Sequence, residues 1–326
     1  MRLLFCTALF FLVYGSGAQQ PAVISPGNLW PDEDGHHIQA HGGGIILLGK
    51  TYYWYGEQRS RGLDSNRRYV SCYSSRDLIH WKFKGNALEA DDPEQLGPHW
   101  VLERPKVYYN ASTKKFVMYF HLDDRRYVFA RVGIAVSDKP TGPFKYVKSF
   151  RPLDHESRDI GQFIDDDGTA YLVFEDRPYG FRIARLAPDY MSLDKEMCLI
   201  KEHMEGGAIV HYKGLYYAIG SSLTGWNPNP NKYATATSLE GPWSVFADIA
   251  PPEKKTYGSQ STMMLKVKGT RDTTVIFMGD IWKPRMQWES AYLWMPVEIG
   301  DGKLHLPEPR DWSIDVKKGT VKLAGN

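Results

Sequence analysis

Gly44-Ile45-Ile46-Leu47-Leu48-Gly49-Lys50-Thr51-Tyr52-Tyr53-Trp54-Tyr55 reads as two strands around a tight turn. Glycine supplies the turn, and the flanking aliphatic and aromatic side chains suit a pleated, half-buried surface. A third strand, Tyr69 to Ser74, follows, closed by Arg76-Asp77-Leu78 and Trp81. The unit then returns four times. The second copy holds Val107 to Tyr109, Phe116 to His121 and Val132 to Ser137, and the third Phe163-Ile164, Ala170 to Phe174 and Phe181 to Leu186. The fourth holds Ile209 to His211, Leu215 to Ile219 and Tyr233 to Ser238, and the fifth Met263 to Val267, Val275 to Gly279 and Ala291 to Val297. No long segment keeps a helical period, so the chain reads as all-β. Three or four strands per repeat match propeller blades, which bury their faces against neighbours and leave short edges. The expectation is a single five-bladed β-propeller over residues 19–326, with a β-sandwich as the rival topology.

Aligning the copies on their first strands puts five segments in register: His41-Gly-Gly-Gly-Ile45, Glu103-Arg-Pro-Lys-Val107, Asp159-Ile-Gly-Gln-Phe163, Glu205-Gly-Gly-Ala-Ile209 and Gln260-Ser-Thr-Met-Met264. First strands of a propeller line its axis, so the repeat predicts a ring of His41, Glu103, Asp159, Glu205 and Gln260 at one end of the funnel. Three carboxylates in a poorly solvated space raise one another's proton affinity, so one should stay protonated near neutral pH. A carboxylic acid beside a carboxylate is the pairing that cleaves a glycosidic bond. A binding propeller that holds only water or an ion at its axis is the alternative.

Arg2, the apolar run Leu3 to Val13 and Gly15-Ser16-Gly17-Ala18 fit a signal peptide over residues 1–18, and hence a secreted or periplasmic protein. Without Arg2, 39 basic residues face 38 acidic ones, an even balance that argues against nucleic acid and anionic membranes and for a neutral partner. The apolar run is short for a bilayer span. Cys72 and Cys198 remain after the leader and read as two free thiols. Ten Trp and twenty Tyr can fill β cores or stack on sugar rings, and composition does not separate these uses.

Asp165-Asp166-Asp167-Gly168 superficially suggests a calcium loop but lacks the later bidentate Glu, so a hairpin turn is expected. His36, His37 and His41 lack further ligands at zinc spacing. No cofactor or catalytic metal is expected, and a structural calcium stays open. Asn110-Ala111-Ser112 is a glycosylation sequon in a predicted turn.

Ile38-Gln39-Ala40-His41-Gly42-Gly43-Gly44, Tyr52 to Glu57, Glu103-Arg104-Pro105-Lys106, Ser157-Arg158-Asp159, Asp165 to Gly168, Thr224 to Asn229 and Ser259 to Thr262 together resemble glycoside hydrolase family 43, in its exo-β-1,3-galactanase type. The similarity runs from about Trp30 to Val316. The resemblance implies an inverting, single-displacement hydrolase. Glu205 falls where the family keeps its general acid, and Asp159 on the carboxylate that orients that acid and tunes its pKa. The aspartate base of most members is replaced in the alignment by His41. In the galactanase type the glutamine matching Gln260 handles the attacking water. An amide is a very poor base, so Gln260 needs help from a neighbour such as Glu103. Glu57, Tyr127, Glu175, Thr224, Trp226 and Asn227 fall on loops or strand ends able to contact sugar, with a structural role open for each. The expected substrate is a β-1,3-galactan of arabinogalactan type. A β-xylosidase or α-L-arabinofuranosidase activity and a non-catalytic sugar-binding propeller are the alternatives.

Overall fold

A computed structural model describes residues 22–90, 92, 94 and 96–324 of the chain. The signal-peptide reading of residues 1–18 lies outside them. Five antiparallel sheets follow one another along the chain. The first blade comprises β1 (His41–Leu48), β2 (Thr51–Glu57), β3 (Arg68–Ser75) and β4 (Lys82–Ala90). The second comprises β5 (Trp100–Asn110), β6 (Lys115–Asp124), β7 (Arg131–Ser137) and β8 (Lys145–Phe150). In the third are β9 (Ile160–Ile164), β10 (Ala170–Asp176), β11 (Gly180–Leu186) and β12 (Leu193–Ile200). The fourth holds β13 (Met204–Tyr212), β14 (Leu215–Ser222), β15 (Lys232–Ala236) and β16 (Ala247–Asp248). The fifth has three strands, β17 (Gln260–Lys268), β18 (Thr273–Ile281) and β19 (Ala291–Pro296). Two short hairpins follow it, β20 (Glu298–Gly300) with β21 (Lys303–His305) and β22 (Trp312–Asp315) with β23 (Thr320–Leu323).

The first strands β1, β5, β9, β13 and β17 pack side by side in that order and close back on β1, which makes a five-bladed propeller. Each inner strand pairs with its blade's second strand, as the repeat implied. The outer strands β4, β8, β12 and β16 were not legible in the sequence. At the rim one face meets solvent, so few of their side chains are buried and the apolar alternation fades.

Apolar layers fill the gaps between blades, and four separate clusters account for them. The cluster with the most residues takes in the junction where the fifth blade meets the first. Trp54 lies 4.6 Å from Trp294 and 5.2 Å from Trp81, and Trp30 lies 5.1 Å from Trp294. Five of the ten tryptophans thus go to the core. Ring closure is made by the chain ends: Ile24 and Trp312 exchange backbone hydrogen bonds of 2.7 and 3.0 Å, and the buried Trp312 indole donates to the Trp294 carbonyl at 2.7 Å.

Asp165 to Gly168 forms the β9–β10 turn, with Gly168 at φ +86° and its N–H bonded to the Asp165 carbonyl at 2.9 Å. Cys72 on β3 and Cys198 on β12 are free thiols in different blades. At the sequon, Asn110 is buried and its amide donates to the Pro188 carbonyl at 2.7 Å, so the side chain faces the protein rather than solvent.

Replacing Trp312 by Ala should lower unfolding stability by about 3–5 kcal/mol in denaturant titration, the range for deleting a large buried aromatic. A loss below about 1 kcal/mol would show that ring closure does not rest on this side chain.

Candidate active site

At the heads of β1, β5, β13 and β17, four of the five inner strands, a bulge interrupts the pairing with the second strand. The ladder slips between His41 and Gly44, between Glu103 and Lys106, between Glu205 and Ala208, and between Ser261 and Met263. Such bulges re-aim a side chain and end regular pairing. Gly42, Arg104 and Gly206, each just after a head residue, have φ of +56°, +54° and +65°. Two of the three are glycine, which takes this region freely. Arg104 adopts it with a side chain, at a cost of about 1 kcal/mol or more that the surroundings must offset.

They do so through hydrogen bonds. The Arg104 guanidinium donates to Gln260 Oε1 at 2.5 Å, to Asp159 Oδ2 at 2.9 Å and to the Ser261 carbonyl at 2.9 Å. Gln260 Oε1 also accepts from Trp282 Nε1 at 2.9 Å, while Gln260 Nε2 donates to Glu205 Oε1 at 3.0 Å and Ser221 Oγ at 3.2 Å. All four hydrogen-bonding positions of the amide are used, so its orientation is set. Two donors on the oxygen suit an ordinary amide. Asp159 Oδ2 accepts the Gly206 N–H at 2.9 Å, which holds the third and fourth blade heads together.

Oxygens of Asp159, Glu175 and Glu205 lie within 4.8 Å of one another. Arg177 faces this trio, 2.5 Å from Glu175 and 3.5 Å from Glu205. Burial, then the charges of Asp159 and Glu175, push the Glu205 carboxyl up to about 8, so it carries its proton at neutral pH. Burial and Asp159 likewise raise Glu175. Glu103 goes the other way. Burial would raise it, but the hydrogen bond and charge of His121, with Arg59 and Tyr127, hold it below the usual carboxylate range. His121 Nδ1 stands 3.3 Å from Glu103, and its Nε2 lies 3.0 Å from Asp123. Burial works against the imidazolium, yet these two acids lift it to about 9. The site therefore holds one protonated and one ionised carboxyl on the same pocket wall.

That pocket has a volume of about 370 Å³, and Glu57, Glu103, Tyr127, Asp159, Glu175, Glu205, Trp226 and Gln260 all reach it. Tyr127 donates to Glu103 Oε1 at 2.9 Å, and Trp226 is 43% exposed, which leaves its ring face open to a ligand. Three expected residues do not line it. His41 is fully buried, its Nδ1 3.2 Å from Asp280 and its ring stacked on Tyr292 at 4.9 Å. The bulge sends His41 behind the wall, and its cross-strand partner Glu57 takes the place at the pocket. Thr224 and Asn227 are turned toward each other, Thr224 Oγ1 donating to the Asn227 carbonyl at 2.5 Å, and shape the loop that presents Trp226.

Arg104, His121, Arg158, Arg177 and Trp282 line the pocket and were not singled out from sequence. Arg104 was open to detection: it stands in the column that is glycine in the first and fourth copies. Among the described residues, Asp165, Asp166 and His211 at the far end of the funnel could also converge on a cation, but the Lys266 ammonium already pairs with Asp166 there.

The profile of Glycosyl hydrolases family 43 matches residues 42–275. An exo-β-1,3-galactanase from Phanerochaete chrysosporium, solved with β-1,3-galactotriose, is 38% identical with a TM-score of 0.87, covering 94% of this chain and 71% of that one. An exo-β-1,3-galactanase from Clostridium thermocellum is 35% identical with a TM-score of 0.84, covering 92% of this chain and 68% of the other. Xylosidase/arabinosidase 43A of Humicola insolens is 44% identical over 68 residues, so that this chain spans only a fifth of its length. A profile match across most of the chain, with four of the five blade heads inside it, shows that the chain belongs to glycosyl hydrolases family 43.

Proposed function

We propose that this family 43 glycoside hydrolase is an exo-acting enzyme that removes galactose from the end of β-1,3-galactan, such as the backbone of arabinogalactan, with inversion. The observation that carries the chemistry is Glu205, protonated at neutral pH because it is buried and because Asp159 and Glu175 share its pocket. Glu205 gives its proton to the departing glycosidic oxygen. Water attacks the anomeric carbon from the opposite face and its proton passes to Glu103, the carboxyl kept ionised, while Gln260 holds the acid in place through its bond to Glu205 Oε1. Asp159 sets the acid's proton affinity and, through Arg104, the position of Gln260. Support for galactan comes from the two galactanases, 38% and 35% identical over most of this chain. The reading includes export to the periplasm or beyond the cell, supported by the apolar run Leu3 to Val13 and the small residues up to Ala18.

Incubation with β-1,3-galactan should release galactose whose first-formed anomer by proton NMR is α. Xylose or arabinose from the matching glycosides, with no galactose, would replace this activity by another of the family. Glu205→Gln should reduce kcat by about a hundred- to ten-thousandfold, as loss of a general acid does.

The rate should fall as pH rises through about 8, where Glu205 loses its proton. Asp159→Asn removes a negative neighbour, so that alkaline limb should move to lower pH; an unmoved limb would assign it to another group.

Because folding raises the Glu205 pKa from an ordinary 4.5 to about 8, ionisation favours the unfolded chain progressively across that interval. Glu205→Gln should therefore melt higher than the parent at pH 8, and the difference should vanish near pH 4. A lower melting temperature for the variant at pH 8 contradicts the buried-acid assignment.

A further inference from the structure

A second cavity, of about 690 Å³, opens sideways from the active-site pocket and shares Glu57, Glu103, Tyr127 and Trp226 with it. Much of its wall is the segment 58–69 between β2 and β3. The charge on that wall is one-sided: Arg59, Arg61, Arg67, Arg68, Arg125 and Arg285 line it against three carboxylates, Glu57, Asp64 and Glu103.

Those three acids are already engaged. Arg59 Nε is 2.9 Å from Glu57, and its Nη2 stands 4.0 Å from Glu103, while Arg67 Nε lies 3.9 Å from Asp64. Among the described residues, no carboxylate pairs with Arg61, Arg68, Arg125 or Arg285. Arg68 is anchored by neutral carbonyls instead, at 2.6 Å to Trp100 and 2.7 Å to Arg67, and Arg125 donates to the Pro98 carbonyl at 2.9 Å. The Arg61 guanidinium lies 4.3 Å from the Trp288 ring centroid. Cations held in place by uncharged partners keep their charge available to an incoming anion. The chain as a whole is nearly neutral, at +2, so this concentration is local.

Trp100, Trp226 and Trp288 share the same lining, and flat indole faces are suited to sugar rings. Since the two cavities have a common wall, one molecule can occupy both. We propose that the side cavity binds a sugar unit bearing an anionic group, a carboxylate or a sulfate ester, carried on the same glycan whose terminal residue sits in the active-site pocket. The proposal rests on the galactanase reading for its backbone and on the arginines alone for its charge.

The experiment compares kcat/KM on one β-1,3-galactan backbone bearing uronic acid branches, bearing the same branches after carboxyl reduction, or bearing sulfated branches. At low salt the uronic acid form should be cleaved about tenfold more efficiently than the reduced form, and sodium chloride should erase the difference. Within each variant the ratio of the two efficiencies is its own control for folding. Arg61→Gln, Arg125→Gln and Arg285→Gln should each shrink that ratio by about threefold. A preference of the same size for the sulfated form extends the site to anions generally, and its absence narrows the site to carboxylates. Equal efficiency on charged and reduced branches at low salt overturns the proposal while leaving the galactanase reading intact. If no form is cleaved, the galactanase reading fails, and calorimetry with Glu205→Gln decides the anion site: salt-sensitive preference for the uronic acid form upholds it, and indifference ends it.

Discussion

The guanidinium of Arg104 bonds Asp159, Gln260 and the Ser261 carbonyl, and so joins the heads of the second, third and fifth blades at the axis. Two residues on, Lys106 is fully buried and donates to the Gly42 and Gly43 carbonyls at 2.6 and 2.7 Å and to Thr262 at 3.2 Å, tying in the first blade. Burial, then the nearby Arg104 charge, lowers the Lys106 pKa to about 7. Five strands meeting end-on expose carbonyls and acids to a space too narrow for bulk water. Cations from one strand, β5, satisfy them. Buried polar groups that lack such partners would destabilise the ring.

With Arg104 in place, the acids around it can hold different protonation states. Glu205 shares its surroundings with two other carboxyls and is pushed up, while Glu103 faces a histidine itself held charged by Asp123 and is pushed down. Separating the proton affinities of two carboxyls in one pocket is what acid-assisted hydrolysis requires. The hydrogen bonds of Gln260 also bear on its part: an amide locked between two donors and two acceptors positions other groups well and accepts a proton badly. The proton acceptor is then better sought among the carboxylates.

Aromatic residues divide between two uses that composition could not separate. Trp54, Trp81, Trp294 and Trp312 are wholly buried and seal the junction where the ring closes. Trp226 and Trp288 stand at the cavities, and Trp282 fixes Gln260. Charge divides in the same way, nearly balanced over the chain and unbalanced along one wall.

The repeated hairpins made the all-β class, the blade count and the column of head residues legible, because a strand period of two and glycine turns are local properties written within a dozen residues. Glu103, Asp159, Glu205 and Gln260 could be placed at one funnel for the same reason. Which heads face the pocket was not local. A bulge turned His41 inward behind Glu57, and the little-buried rim strands carried too little apolar alternation to be seen. The partners that set the chemistry come from other blades: Arg104 meets Gln260 156 residues away, and Gln260 meets Glu205 across 55. Contacts of that span depend on how the blades pack about the axis, so the sequence alone determined the blades and their polar heads, while the proton on Glu205 was decided by tertiary structure.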